Sequence, residues 1–223
     1  MRGIVYKDIC LFFRSLDLRV CAVAVVPAVV FVVKSGVYAG MLSSFVVDMI
    51  VGMMSVLVFE HEEKADWGKY QRTLPVSGGR IVAGKYTAVL LTALGSLAVS
   101  VVLNLAVFAA YRTFLLPVLG LSALMAFVIP AAWAAVSLPF CYWFDFQVAQ
   151  YAAVILVFPA FFVVKNFEDG MWNVAELLAA AGGFTALLLA GLLAVAGIFL
   201  LSLAASVAGY SRKGGGRRAR NRL

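Results

Sequence analysis

Residues 79–86 (GRIVAGKY) differ at one position from a phosphate-binding loop of the form G-x-x-x-x-G-K followed by Ser or Thr. In that motif the hydroxyl residue holds magnesium, but this chain has Tyr86 at that position. No β-strand is expected before the glycines, and a long apolar run follows them. The sequence therefore predicts that this chain binds neither ATP nor any other cofactor by itself.

His61 is the single histidine of the chain, and it lies between Glu60 and the pair Glu62-Glu63. A zinc site usually needs further His or Cys ligands, and none is within helical reach of His61. Carboxylates and a histidine in this pattern are more typical of a solvated surface. We therefore predict no metal site and no catalytic residues here.

Asp48 is the one carboxylate deep within an apolar run, where a charge by default marks a pathway or a specific pairing. The alternative is that Asp48 lies near the outer interface and reaches water. Thr92, Ser96, Ser100 and Asn104 follow one another four positions apart and form a polar stripe on one helix. Such a stripe lines a translocation route or, more often, joins helices by hydrogen bonds. The candidate residues of a substrate route are Asp48, Ser96, Ser100 and Asn104.

The composition indicates that a membrane protein positions these residues. The chain has 223 residues, of which 64% are hydrophobic and 13% are charged. A soluble domain typically has about a quarter of its residues charged, whereas a membrane-spanning helix needs about 20 apolar residues. We predict an all-α membrane protein with a single transmembrane domain, 1–211. Its six spans are predicted at 20–40, 41–59, 86–110, 115–137, 146–164 and 184–207.

The basic residues predict how the chain is oriented. Four lie before the first span, five lie between residues 60 and 85, and six lie after residue 211. The segments on the other side contain only Lys34, Arg112 and Lys165. Because cytoplasmic segments carry the excess of Lys and Arg, both termini of this multi-pass protein are predicted to be cytoplasmic. The same rule accounts for the net charge of +7 without a nucleic-acid partner.

The two ends of the chain have different predicted roles. Residues 1–19 are predicted to form an amphipathic helix in the headgroup plane or, alternatively, a ragged start to the first span. The apolar face of that helix consists of Val5, Ile9, Phe12 and Leu16. Residues 212–223 are rich in Gly and Arg. They are predicted to form a disordered cytoplasmic tail that anchors the topology, with contact to anionic lipids as a second role.

The longest polar passage, residues 60–85, lies between the second and third predicted spans and is called the central segment below. Glu60 with Lys64 and Asp66 with Lys69 have spacings that favour ion pairs on a helix. The sequence therefore predicts a cytoplasmic loop with a short helix in it.

Trp67, Tyr70 and Leu74 share one face of this predicted helix, which Pro75 limits. An aromatic face on a short helix can enter the groove of a partner protein. The alternative is that these side chains rest at the lipid interface.

The central segment resembles that of the type-2 ABC exporter permeases, specifically the small six-span bacterial branch. The shared pattern is an acidic lead-in, aromatics, a Leu-Pro-Val-Ser turn and a Lys-Tyr pair that opens the third span. Here it consists of Glu62-Glu63-Lys64, Trp67, Tyr70, Leu74-Pro75-Val76-Ser77, Ile81-Val82 and Lys85-Tyr86. Gly78 departs from the pattern, since the family usually has Arg there. Phe144-Asp145 lies in an inner loop that lacks the usual Gly and bases.

The resemblance implies a type-2 ABC exporter permease in the bacterial plasma membrane. ATP and magnesium are then expected on a separate cytoplasmic ABC ATPase subunit, and a second permease copy or paralogue forms a dimer around the substrate route. The central segment contains the coupling helix. The residues implied at the ATPase contact are Glu63, Trp67, Tyr70, Leu74 and Pro75. The alternative functions are a stand-alone ion-coupled carrier and a membrane anchor or immunity protein.

Overall fold

The computed structural model describes residues 2–17, 20, 22, 25–26, 29–31, 35–71, 73–144, 146–151 and 184–220. Regular structure within these ranges is helical, as predicted. The helices are α1 (Arg2–Ser15), α2 (Ala39–Lys64), α3 (Trp67–Gln71), α4 (Gly78–Tyr111), α5 (Leu116–Trp143) and α6 (Phe184–Arg220). A short 3-10 helix, Gly36–Tyr38, leads into α2, and residues 146–151 are also helical.

Four helical segments in the described part of the chain are long and apolar enough to cross a membrane. They are Gly36–Lys64, Gly78–Tyr111, Leu116–Trp143 and Leu189–Arg212. They correspond to the predicted spans 41–59, 86–110, 115–137 and 184–207. Parts of the predicted span 20–40 and most of 146–164 lie outside the described residues. Four of the six spans are thus supported, and the other two stay predictions.

The helices that contain the spans extend beyond the apolar runs of the sequence. α4 has 34 residues, or about 50 Å at a rise of 1.5 Å per residue, whereas the hydrocarbon core of a bilayer is about 30 Å thick. Its ends are determined by the backbone, because Ser77 is extended and Arg112 is left-handed with φ of 52°. Much of the central segment therefore lies on helical turns that continue outward from the spans.

The C-terminal tail differs from its prediction. α6 continues to Arg220, whereas the sequence predicts disorder from residue 212. Extending an existing helix adds a hydrogen bond per residue without a new nucleation step. Arg and Lys are also good helix formers. These contributions offset the low helix propensity of the three glycines at 214–216.

α2, α4 and α5 pack against one another, α6 packs mainly against α5, and α1 lies against α2 and α4. Small residues allow close approach between helices in a membrane. A Cβ atom added to Gly52 would be 3.0 Å from Trp133 Cβ, so α2 and α5 touch closely there. Ala131, Ala134 and Ala135 of α5 are buried in a second core, which α5 forms with α4 and α6.

At the end of the bundle that carries the central segment, α6 is fixed to α4 and α5. Trp143 donates its Nε1–H to the Ala205 carbonyl at 2.8 Å, and its ring fills the space beside Gly209. Tyr210 covers Gly78, where an added Cβ would be 2.7 Å from Tyr210 Cδ1. This contact is the physical reason for a glycine where the resembled family usually has arginine.

Candidate functional site

The central segment folds as a short helix followed by a turn. α3 has five residues, and Thr73 bonds the Tyr70 carbonyl through its backbone N–H at 3.0 Å and its hydroxyl at 2.8 Å. These bonds end the helix before Leu74, which lies with the exposed Pro75 in the turn that follows. The predicted common helical face of Trp67, Tyr70 and Leu74 is therefore not formed.

Trp67 and Tyr70 have different surroundings, although their ring centroids are 5.0 Å apart. Trp67 is partly buried, and Lys7 Nζ of α1 lies 4.5 Å from its ring centroid, where a cation is attracted to the ring. Tyr70 is 56% exposed, and Glu63 is exposed on the last turn of α2. Trp67 thus connects α3 to α1, while Tyr70 and Glu63 are accessible to a partner.

The two ion pairs predicted for the central segment are confirmed. Lys64 Nζ is 2.6 Å from Glu60 Oε1, and Lys69 Nζ is 2.7 Å from Asp66 Oδ2. Both pairs lie at the surface, where such a pair contributes at most about 1 kcal/mol. They support the local helical turns and do little for the stability of the whole fold.

A second, buried set of charges joins the two ends of the central segment to α1. This ion cluster consists of Lys7, Asp8, Glu62 and Lys85. Lys85 Nζ is 2.5 Å from Glu62 Oε2 and 3.7 Å from Asp8 Oδ1. Lys7 pairs with Glu62 and lies 2.9 Å from Asp8 Oδ1. The Phe59 ring covers Lys85, whose Nζ is 4.1 Å from the ring centroid. Two bases and two acids therefore join α1, α2 and α4 at one point.

Burial makes the four charges depend on one another. Asp8, Glu62 and Lys85 are 4%, 8% and 4% exposed. Taking a charge out of water costs several kcal/mol, which the partners offset only while they stay in contact. Separating α1, α2 and α4 would leave a buried charge without its counter-ion. The ion cluster therefore holds α1, α2 and α4 together at the end of the bundle that carries the central segment.

The ion cluster also corrects the predicted orientation of α1. The buried residues of this helix include Ile4, Asp8 and Phe12. The predicted face differs and consists of Val5, Ile9, Phe12 and Leu16, the last of which lies beyond the helix end. The prediction excludes charged residues from the face because it assumes lipid beneath the helix. The sequence signal that Asp8 belongs to the buried face is its spacing of four residues from Ile4 and from Phe12. This signal can be interpreted only once Lys85 is known to be a buried base.

The sequence similar to a phosphate-binding loop lies within α4. Residues 79–86 are helical, so most of their backbone N–H groups are bonded inside the helix. Lys85 is held by Glu62, and a phosphate would have to displace that carboxylate. His61 is exposed beside the segment. That the chain itself binds no nucleotide stays a prediction.

The polar stripe of α4 is buried between α2 and α5. Asp48 is 0% exposed and accepts a hydrogen bond from Ser96. Ser122 of α5 bonds Ser100 Oγ and Asn104 Nδ2, each at 2.7 Å. Asp48 therefore does not reach water at the outer interface in this conformation, and the interpretation that places it there is wrong.

Ser122 and Ser44 are residues of this network that sequence reasoning missed. An isolated serine in an apolar run has no periodic partner on its own helix, so its role depends on contacts between helices. Ser44 of α2 completes the link, with its Oγ 2.9 Å from Ser122 Oγ. In this conformation the stripe joins three helices through hydrogen bonds.

Long apolar helices, joined by buried polar and ionic contacts, define this chain as a multi-pass helical membrane protein. A family model described as ABC-2 family transporter protein matches residues 3–211, nearly the whole chain. The chain belongs to this family and is a membrane permease of an ABC transporter, as the resemblance of its central segment predicts. No curated protein and no solved structure matches the chain.

Proposed function

We propose that a separate ABC ATPase subunit drives this permease by docking on the central segment, and that the permease exports its substrate. The observation that supports this proposal most is that α3 is accessible on one side and linked to the ion cluster on the other. Tyr70 is 56% exposed, whereas Trp67 contacts Lys7 of the cluster. A force on α3 therefore acts on α1, α2 and α4 together.

The polar stripe is the proposed target of this movement. Asp48, Ser96, Ser100 and Asn104 line the substrate route once α2 and α4 separate at the level of the stripe, while the ion cluster keeps the other ends of these helices in contact. In the present conformation their hydrogen bonds to one another and to Ser122 hold the route closed. Hydrogen bonds between helices in membranes contribute on average about 0.6 kcal/mol each. The free energy needed to break them is therefore small.

Family membership supports the remaining components of the proposal. ATP and magnesium bind on the ATPase subunit, a second permease copy or paralogue completes a dimer, and lipids surround the apolar helices. The single transmembrane domain has both termini on the cytoplasmic side of a bacterial plasma membrane. An ion-coupled carrier is the second candidate function, and the buried carboxylate of Asp48 is the observation that favours it.

Replacing Tyr70 with alanine tests the docking surface. Losing an aromatic anchor at an interface can cost about 2 kcal/mol or more, which corresponds to binding weakened more than tenfold. The measurement is vanadate-sensitive ATP hydrolysis that co-purifies with the tagged permease. Tyr38→Ala is the matched control. Tyr38 is 53% exposed and directly precedes α2, at the end of this helix opposite the central segment. Equal ATPase recovery from both variants contradicts docking at Tyr70.

Cysteine labelling tests the orientation. The chain between Gly68 and Thr113 crosses the membrane once as α4, so the two positions lie on opposite sides. In a chain whose native cysteines are replaced by serine, Thr113→Cys is expected to react with a membrane-impermeant maleimide in intact cells. Gly68→Cys is expected to react only after permeabilisation. Reaction of both from one side, or the reverse pattern, is incompatible with the proposed orientation.

A further inference from the structure

A cavity of about 300 Å³ lies between the central segment and the adjoining ends of α5 and α6. Exposed residues of the central segment form its rim, among them Glu63, Asp66 and Lys69. Buried residues form its floor, among them Gln71, Cys141 and Tyr142. This volume is at the lower end of the range for small-ligand sites, so the cavity fits a side chain or a compact molecule.

Among the residues that the structure describes, one carboxylate at the cavity has no base paired with it. Glu62 is paired with Lys85, and Asp66 is paired with Lys69. Glu63 has no ion pair with any base that the structure describes. The lining therefore has a net negative charge, which attracts a cation and repels a phosphate or carboxylate.

Aromatic rings contribute to the walls. Tyr142 makes edge-to-face contacts with Phe59 and Tyr210, with ring centroids 5.3 Å and 6.0 Å apart. Phe144 and Phe146 also line the cavity. Ring faces attract cations, and a planar guanidinium can stack on them in a way that a rounded ammonium cannot.

Two polar groups on the cavity floor have no hydrogen-bond partner among the described residues. They are the Tyr142 hydroxyl and the side-chain amide nitrogen of Gln71, on residues 7% and 5% exposed. Buried polar groups are nearly always bonded in native proteins, so an orphaned pair at one cavity indicates a missing partner. The phenol oxygen can accept a hydrogen bond. The Gln71 amide nitrogen is itself a donor, so this amide accepts a hydrogen bond from a cation only after it rotates to present its oxygen.

We propose that this cavity is a binding site for a guanidinium group, supplied by an arginine side chain of the ATPase subunit. The guanidinium lies between the aromatic walls, pairs with Glu63 at the rim and donates hydrogen bonds to Tyr142 and Gln71 on the floor. Because the rim belongs to the central segment, a partner docked there has direct access to the cavity. The source of the guanidinium rests on the proposed function, whereas the site itself does not.

Cys141 provides a local test of the site, since it lines the cavity and is 9% exposed. The permease with Cys10→Ser and Cys21→Ser is placed in lipid nanodiscs, and methyl methanethiosulfonate modifies the remaining thiol. Ethylguanidinium is expected to slow this reaction, with half-protection at concentrations on the order of millimolar for so small a fragment. Neutral N-propylurea and butylammonium are expected to protect less. No protection by ethylguanidinium, or equal protection by either comparison compound, overturns the guanidinium site.

Two variants connect the protection to named residues. Glu63→Gln and Tyr142→Phe are each expected to raise the half-protecting concentration about fivefold, the usual effect of losing one hydrogen bond or partly exposed ion pair. Glu60→Gln is the matched control, because it makes the same change on α2 outside the cavity lining. Tyr142→Phe removes an unsatisfied hydroxyl, so the empty permease should keep or gain thermal stability. A less stable Tyr142→Phe variant with unchanged protection assigns Tyr142 a structural role and overturns its part in the site.

The source of the guanidinium is tested with the co-purifying ATPase. Glu63→Gln and Tyr142→Phe are expected to weaken ATPase binding about fivefold each, and ethylguanidinium is expected to compete with it. If Cys141 is protected but both variants bind the ATPase normally, the arginine of the ATPase is not the ligand and this inference is overturned. The proposed function survives that result, because it depends on the Tyr70→Ala measurement instead. If no ATPase co-purifies, the proposed function fails and the ATPase as source fails with it.

Discussion

The variant Lys85→Met is expected to lose about 3–5 kcal/mol of its free energy of unfolding, the usual cost of breaking a buried ion pair. Methionine has nearly the length of lysine, so the packing against Phe59 is retained while the charge is lost. Glu62 and Asp8 are 8% and 4% exposed, and Lys7 is then the one base paired with them in the described part of the chain. The measurement is denaturant unfolding of the purified permease in mixed micelles.

A second change separates charge from packing in this experiment. Glu62→Gln combined with Lys85→Met leaves Lys7 and Asp8 as a balanced pair, so most of the lost stability should return. Lys69→Met is the matched control, because it breaks a pair whose side chains are 70% and 71% exposed. Its expected cost is at most about 1 kcal/mol. Equal destabilisation by Lys85→Met and Lys69→Met is incompatible with a buried ion cluster.

Four of the spans and the surface pairs could be predicted from sequence because both depend on local order. An apolar run of sufficient length specifies a membrane helix, and the spacing of Glu60 and Lys64 already places them on one helical turn. The same reasoning places the polar stripe on one face of α4. The helix ends were less predictable, since Thr73 ends α3 through a hydrogen bond that has no signature in hydropathy.

The ion cluster and the cavity could not be predicted in this way. Lys7 and Glu62 are 55 positions apart, and nothing in the sequence near either residue indicates the other. Lys85 also belongs to residues 79–86, which nearly match a phosphate-binding loop. Pairing of this kind is determined by how α1 lies across α2 and α4, so tertiary packing decides which charges are buried.

The cavity and the ion cluster share Glu62 and Lys85. A cation in the cavity lies near Glu62 and competes with Lys85 and Lys7 for its charge. The proposed docking of an ATPase arginine would therefore act on the same contacts that hold α1, α2 and α4 together. The proposed partner surface is in this way connected to the helices that carry the polar stripe without a long chain of intermediate residues.

The variant Ser100→Cys is expected to become about 100-fold more reactive towards a small alkylating reagent when the complex with its ATPase hydrolyses ATP. Ser100 is 1% exposed, so the introduced thiol reacts only from an open conformation. If that conformation is populated at about 1% at rest, a typical value for a minor state, making it dominant raises the rate by about this factor. The reaction is measured with ATP and, for comparison, with a non-hydrolysable analogue.

A control position and a comparison of ATP with a proton gradient distinguish an ATP-driven permease from an ion-coupled carrier. Ser137→Cys is the matched control, because Ser137 is a serine of α5 that is 0% exposed and lies outside the polar stripe. Its reactivity should not change, since α4 and α5 stay packed there while α2 separates from α4. Equal acceleration at both positions would indicate general loosening rather than a route. Acceleration at Ser100→Cys by an imposed proton gradient, and not by ATP, would instead assign the stripe and Asp48 to an ion-coupled carrier.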